Sequence, residues 1–257
     1  MIRVERREPG IAWVTIDRPG ARNAMTFAMW ARLRETAVEL DADASVRVVV
    51  FTGEGDEAFV AGTDIAEFRA FTGAGDGVAY ERRIDATIGA LDAIRVPTIA
   101  AIAGACTGGG VSIASTCDLR IGAPNVRIGI PIARTLGNIV SLRNVARVAE
   151  LIGLDAVKAL LITGKLLRAD EALRAGFLSE VVETAPALLP RAQAVAESIA
   201  GLAPLTVRAS KEIVRRIRAS RELPDAGDLI RACYGSNDFR EGLTAFLAKR
   251  RADWTGS

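Results

Sequence analysis

The stretch that decides the fold is TIAAIAGACTGGGVSIASTCDLRIG, Thr98 to Gly122. It opens on an apolar, partly β-branched run, Thr98 to Ala103, and turns at Gly104. It then reaches Gly108, Gly109 and Gly110 in succession. A short apolar segment follows, Val111 to Ser115, and after it a second strand-like run, Leu119 to Gly122. Glycine inside regular structure costs about 0.5–1 kcal/mol relative to Ala, because it gives up more backbone freedom. A chain keeps three in a row where a ligand or another backbone must come close. Here they stand where a helix begins, and a helix start offers unpaired N–H groups and the positive end of the dipole. The order is strand, glycine turn, helix N-terminus, with backbone donors aimed at a negative or polarised oxygen. A tight packing turn without a ligand fits three glycines equally well, and the glycines alone leave both open.

On the N-terminal side, Met1 to Gly10 is charged and reads as an edge strand and turn, not a signal peptide. Ile11 to Asp17 alternates and predicts a strand ending at the turn Arg18-Pro19-Gly20. Met25 to Leu40 has helical spacing, with Thr26 as its N-cap. Val46 to Thr52 is nearly all β-branched, the mark of a strand buried on both faces. Phe59 to Gly62 returns as a short strand, and Thr63 to Phe68 begins a helix. Thr72 to Gly77 is glycine-rich but lacks the strand and fingerprint of a dinucleotide site, so it predicts a mobile loop. Val78 to Ile94 is an amphipathic helix. Beyond the central stretch, Asn125 to Ile132 is extended. Asn138 to Gly153, Leu154 to Thr163 and Ala169 to Ala175 are helical, with Gly176 as a C-cap. Phe177 to Val182 is a last strand. From Pro190 onward the chain is helical, with breaks at Pro204 and Pro224. Segments 46–71, 96–116 and 117–152 echo one another as strand, strand, helix, which suggests a spiral rather than a doubly wound sheet.

Composition bounds the chemistry. Of 257 residues, 50% are hydrophobic and 25% charged, the profile of a globular protein with a large core. Lys and Arg number 33 against 31 Asp and Glu, a net +2 that gives no reason to expect nucleic acid or an anionic membrane as partner. No apolar stretch is long and charge-free enough to span a bilayer. Cys106, Cys117 and Cys233 show no metal spacing and fit buried thiols in a reducing cytoplasm. There is no histidine. That removes Ser-His-Asp and Cys-His catalysis and histidine metal sites, so any proton transfer falls to Asp, Glu, Lys, Tyr, Cys or a bound water.

Several motifs in order carry a resemblance. They are Arg18-Pro19 with Arg22-Asn23-Ala24-Met25, Phe59-Val60-Ala61-Gly62-Thr63-Asp64-Ile65, Pro97 to Gly104 with Gly108-Gly109-Gly110, Cys117-Asp118-Leu119-Arg120-Ile121, and Glu241 to Arg250. Together they resemble the enoyl-CoA hydratase/isomerase (crotonase) superfamily over nearly the whole chain. The resemblance implies an α/β fold, a crotonase-like spiral of repeated ββα units over 1–195 with a helical trimerisation region over 196–257. It implies a cytoplasmic homotrimer or dimer of trimers that acts on acyl-CoA thioesters and needs no separate cofactor, coenzyme A being part of the substrate. It assigns an oxyanion hole to the backbone N–H groups of Thr63 and Gly109, where two donors would stabilise a thioester enolate. Substrate contacts are implied at Arg22, Asn23, Ala24, Ala61, Asp64, Ile65 and Ala66, and along Gly108 and Gly110. Lys249 and Arg250 are candidates for phosphates, or equally for solvated surface charge.

The same resemblance locates a departure. Hydratases of the family place two glutamates around a water, and the matching positions here are Ser112 and Ile132. An acid–base group contributes about 10²- to 10⁴-fold, so hydration of an enoyl-CoA is not the expected reaction. An oxyanion hole without those carboxylates suits reactions that make an enolate otherwise. Decarboxylation of a malonyl-type ester is one, with Arg134 or Arg143 holding the substrate carboxylate and Asn138 and Ser141 orienting it. Hydrolysis, or binding of CoA esters with little catalysis, are the alternatives. Carboxylates to which acid–base work could be relocated are Asp64, Glu67, Glu81 and Asp85, while Asp118 reads as a structural hydrogen-bond acceptor.

Overall fold

The computed structural model describes residues 1–219, 225 and 227–257. Two sheets are built from strands that alternate between them. The larger sheet runs β1 (Ile2–Arg7), β2 (Ile11–Ile16), β3 (Val48–Gly53), β5 (Thr98–Ile102), β7 (Leu119–Gly122) and β9 (Glu180–Val181). Only β1, the charged edge strand, is antiparallel to its neighbour. The smaller sheet is parallel and runs β4 (Ala58–Val60), β6 (Ala105–Thr107) and β8 (Arg127–Gly129).

The pairs β3–β4, β5–β6 and β7–β8 each place their first strand in the large sheet and their second in the small one. A helical turn then closes each unit. These turns are a 3₁₀ segment Ile65–Ala70, helix α3 (Gly109–Thr116) and the short α4 (Ile132–Thr135). The three echoing segments are therefore successive turns of a ββα spiral.

The apolar runs follow from burial on both faces. Along β3, Val49 and Phe51 enter the larger core cluster while Val48 and Val50 enter a second one behind the sheet. Side chains alternate across a strand, so a strand covered on both sides reads as an unbroken apolar run. The rear face is closed by α8 (Leu188–Ala200), through Leu188, Ala192, Ala196 and Ala200. That helix runs across positions 195 and 196 without a break.

Helix α1 (Phe27–Ala42) begins where expected, with Thr26 Oγ1 accepting from Met29 N at 3.2 Å. The glycine-rich Thr72 to Gly77 is not a free loop: α2 (Ala74–Asp92) starts within it. Thr72 N, Thr72 Oγ1 and Gly73 N all donate to Asp76 Oδ2, at 2.7, 3.0 and 3.2 Å, which fixes the first turn. Of its three glycines only Gly77 is required by packing: a Cβ there would lie 2.2 Å from Tyr234 Cγ, whereas Gly73 and Gly75 have open space.

Helix α5 (Leu142–Ile152) starts at Leu142 rather than Asn138, because Ser141 caps it by accepting from Asn144 N at 3.3 Å. The extended run expected to reach Ile132 stops at Gly129. Helices α6 (Leu154–Thr163) and α7 (Ala169–Arg174) follow as expected. The C-terminal helices are α9 (Pro204–Ala219), α10 (Gly227–Gly235) and α11 (Asn237–Leu247). Pro204 opens α9, as the break predicted, and the break at 224 lies outside the described residues. α10 packs on α2, and α9 buries none of its side chains. No helix among the described residues is long and apolar enough to cross a membrane.

Candidate active site

Gly108 sits at φ +53°, in the left-handed region, and donates its N–H to Gly129 O at 3.1 Å. The next two glycines are held by their neighbours. A Cβ on Gly109 would lie 2.6 Å from Trp30 Cζ2, and one on Gly110 would lie 2.2 Å from Val60 O. Packing alone thus demands each glycine. The same packing leaves Gly109 as the first residue of α3, where an N–H has no intrahelical acceptor.

The second segment comes from the end of β4. Gly62, at φ +107°, accepts from Met25 N at 2.8 Å, and Asp64 N donates to Met25 O at 2.9 Å. These bonds clamp 61–64 beside 22–25. The Thr63 N–H lies between them with no acceptor among the described residues. Thr63 Oγ1 accepts from Trp30 Nε1 at 2.9 Å and shares a hydrogen bond with the Tyr80 hydroxyl at 2.7 Å. Thr63 and Gly109 line one cavity of about 100 Å³, and Ser112 and Ile132 form part of its wall.

Tyr80, Glu81, Thr107, Thr135, Asn138 and Asn144 complete the polar lining. Glu81 is 4% exposed and projects from α2. Its Oε1 accepts from the Tyr234 hydroxyl at 2.8 Å and its Oε2 from Ser141 N at 3.0 Å. Burial pushes its carboxyl up to about 8, against the pull of the Tyr234 and Ser141 hydrogen bonds and with help from the nearby Asp85 charge. Tyr80 and Tyr234 are pushed above the usual phenol range, first by burial and then by Glu81. Asn138 Nδ2 donates to the Tyr234 hydroxyl at 3.0 Å, while its Oδ1 is buried without a partner.

The structure brings together only part of the expected set. Ala61, Ile65 and Gly108 join Thr63, Gly109, Ser112 and Ile132 at the cavity. Gly110 is buried behind it, and Ala66 is exposed. Asn23 is fully buried and ties loops together: Oδ1 accepts from Arg18 N at 2.9 Å, and Nδ2 donates to Glu54 O and Ala58 O at 3.0 and 2.6 Å. Arg22 passes its carbonyl to Ala61 N at 3.1 Å, and Ala24 accepts from Arg18 Nη1 at 3.0 Å.

Asp64 caps the 3₁₀ turn and pairs with Arg18 at 2.8 Å, and Glu67 accepts from Phe27 N at 3.1 Å, so both carboxylates serve structure. Asp85, which accepts from Ser141 Oγ at 2.6 Å and Asn144 Nδ2 at 3.1 Å, sits behind the cavity wall; burial raises its pKa first, against the Ser141 bond. Arg134 is exposed and outside the lining. Arg250 pairs with Glu241 at 2.6 Å, and Lys249 is exposed. Asp118 accepts from Thr98 N at 2.7 Å and from Lys211 Nζ at 2.7 Å, the structural acceptor it was read as. The Cys106 thiol is buried and pushed up by that burial, which removes it as a nucleophile.

A cavity formed by two backbone donors on a ββα spiral can be compared with known proteins. The enoyl-CoA hydratase/isomerase family model matches residues 6–257. The chain belongs to the enoyl-CoA hydratase/isomerase family. A short-chain-enoyl-CoA hydratase of Clostridium acetobutylicum is 32% identical, covering 96% of this chain and 95% of its own. A probable enoyl-CoA hydratase of Mycobacterium tuberculosis is 34% identical, over 97% of this chain and 96% of its own. Among solved structures, an enoyl-CoA hydratase/carnithine racemase from Magnetospirillum magneticum superposes with a TM-score of 0.81 at 33% identity, covering 100% of this chain and 96% of that one.

For this member of the enoyl-CoA hydratase/isomerase family, sequence reading missed three residues at the site. Trp30 lies in the middle of an ordinary amphipathic helix pattern. Tyr80 and Tyr234 are the chain's two tyrosines, and their rings stand 6.1 Å apart. Their scarcity in a chain without histidine was the available signal, but no local pattern joins positions so far apart in the sequence.

Proposed function

We propose that this family member is an acyl-CoA enzyme that stabilises a thioester enolate between the N–H groups of Thr63 and Gly109. The observation that carries the reading is that both donors lack acceptors among the described residues and belong to residues of one small cavity. A preorganised donor pair in a water-poor pocket acts on developing charge without reorganising, and removing one such donor in another enzyme costs about 10²–10³ in rate. Coenzyme A belongs to the substrate in this reading, and no separate cofactor is needed. Ser112 and Ile132 stand at the positions where the family's hydratases carry acid and base, so enolate chemistry other than efficient hydration is the favoured outcome. Decarboxylation has less support, because the exposed Arg134 offers no cation inside the cavity for a substrate carboxylate.

The exposed apolar residues of α9, Leu205 at 80% and Ile213 at 60%, support assembly into a homotrimer or dimer of trimers. The unpaired thiols suit a cytoplasmic protein.

A panel of crotonyl-, malonyl-, methylmalonyl- and butyryl-CoA, followed by mass spectrometry, tests the reading. Turnover or α-hydrogen exchange with slow hydration of crotonyl-CoA is expected. Fast hydration would overturn the reading of Ser112 and Ile132. Binding without turnover or exchange of any ester would leave a CoA-ester binder.

A further inference from the structure

We propose that Glu81, projecting from α2, is the residue that moves the proton at the oxyanion cavity, with Tyr234 and Asn138 as its positioning residues. The inference rests on the enolate reading above. Among the described residues that line the cavity, Glu81 is the one carboxylate. It is almost wholly buried, yet it has no Lys or Arg partner within ion-pair distance among the described residues. Its two hydrogen-bond donors are neutral: the Tyr234 hydroxyl and the Ser141 N–H. Each carboxylate oxygen accepts a single hydrogen bond and therefore keeps capacity to accept another or to carry a proton.

Its bonds to Ser141 N and Tyr234 tie α2 to its neighbours, but such ties do not require an ionisable group. A buried carboxylate without a cation is unstable unless neutral, and a core requires neither form. The surroundings look built to hold it. Tyr234 comes from α10, far along the chain, and packs against Gly77, one turn before Glu81. Asn138 donates to the same hydroxyl, and the line Asn138 Nδ2, Tyr234 hydroxyl, Glu81 Oε1 is a directed chain of donors. Its far end, Asn138 Oδ1, is a buried acceptor without a partner, on a residue that lines the cavity. The titratable and charged groups around Glu81 are Tyr80 and Asp85 on its own helix, Tyr234 on α10, and Arg82, Arg143, Asp225 and Arg231 around the adjoining surface pocket. Burial tunes Glu81 close to neutral pH, where a group can both take and return a proton.

The step balances without a co-reactant. The α C–H bond of the bound thioester breaks, and its proton goes to the Glu81 carboxylate. Its electron pair forms the enolate C=C as the C=O pair moves onto the oxygen facing Thr63 and Gly109. Glu81 then returns the proton to the α-carbon or, in a 3-enoyl chain, to the γ-carbon, which shifts the double bond into conjugation.

The test is deuterium exchange at the α-carbon of butyryl-CoA in D₂O, with binding of the same ester measured alongside. Glu81→Gln should lower exchange at least about 100-fold while leaving the dissociation constant within a few-fold. Wild-type exchange should rise with pH to a plateau with an apparent pKa near that of Glu81, about 8. Tyr234→Phe keeps the ring on Gly77 but removes a hydrogen bond that favours the carboxylate, so the same profile should shift to higher pH. Exchange retained in Glu81→Gln, or a Tyr234→Phe profile identical to wild type, would overturn the role of Glu81 alone. A wild-type protein that binds butyryl-CoA yet exchanges nothing would overturn the enolate reading, and Glu81 with it.

Discussion

Glu81 shows how one side chain couples site chemistry to stability. Its carboxyl titrates near 4.5 when exposed and near 8 in the fold, because burial disfavours the charge. Below about pH 4.5 it is protonated in both states and adds no pH dependence. Between 4.5 and 8 the folded chain holds a proton that the unfolded chain releases, so stability falls as pH rises, by at most about 1.4 kcal/mol per pH unit. Glu81→Gln removes this slope. Urea denaturation at pH 5 and pH 8 should show the variant gaining on wild type at the higher pH. Equal differences at both values would mean that Glu81 titrates normally. None of this was legible in the residue itself, which stood as one of four carboxylates open to relocated acid–base work. Fold geometry separated them, turning Asp64 and Glu67 into caps and leaving Glu81 facing the cavity.

At the scale of an element, α2 carries both the glycines that misled the sequence reading and the carboxylate that matters. Its glycines are not equivalent. Nothing lies within 4 Å of a Cβ on Gly89, whereas one on Gly77 would meet Tyr234 at 2.2 Å. Gly89→Ala should therefore stabilise the protein by about 0.5–1 kcal/mol through helix propensity. Gly77→Ala should destabilise it by about 1–3 kcal/mol through overpacking and displace Tyr234 from Glu81. Thermal melts of the two variants compare them directly, and a stabilising Gly77→Ala would contradict this packing of α10 on α2. Strand and helix types along the spiral were readable because each rests on local periodicity and burial pattern. The start of α2 was not, because Thr72 to Gly77 looks like a loop until Asp76 gathers its N-terminal donors and Tyr234 fills the space beside Gly77.

Across the whole molecule, the C-terminal helices divide their work. α10 and α11 return to the spiral and supply Tyr234 and Phe239 to an aromatic cluster with Phe68 and Tyr80. α9 touches the spiral through polar anchors such as Lys211 on Asp118, while its apolar side chains stay exposed. Light scattering coupled to size exclusion should find a trimer or hexamer. Leu205→Asp with Ile213→Asp should yield a smaller species that keeps its helical circular dichroism. An unchanged mass for the double variant would place the assembly surface elsewhere.

Beyond the family resemblance, which implied the spiral and the pairing of Thr63 with Gly109, the sequence by itself determined the strand–strand–helix echo, the glycine turn at a helix start and the exclusion of histidine chemistry. These depend on composition, on local periodicity and on glycines whose meaning is steric and short-range. It also determined that Ser112 and Ile132 hold no carboxylate. Only the tertiary structure decided which remaining carboxylate faces the cavity, because that depends on α10 folding back over α2 to bury Glu81 beside Tyr234. It also gave Gly108, Gly109 and Gly110 a double meaning. A left-handed turn, Trp30 and Val60 require them sterically, and the same close approach leaves the Gly109 N–H unpaired beside Thr63. A packing contact and an N–H without an intrahelical acceptor, which the glycines alone left open, are two consequences of one backbone approach.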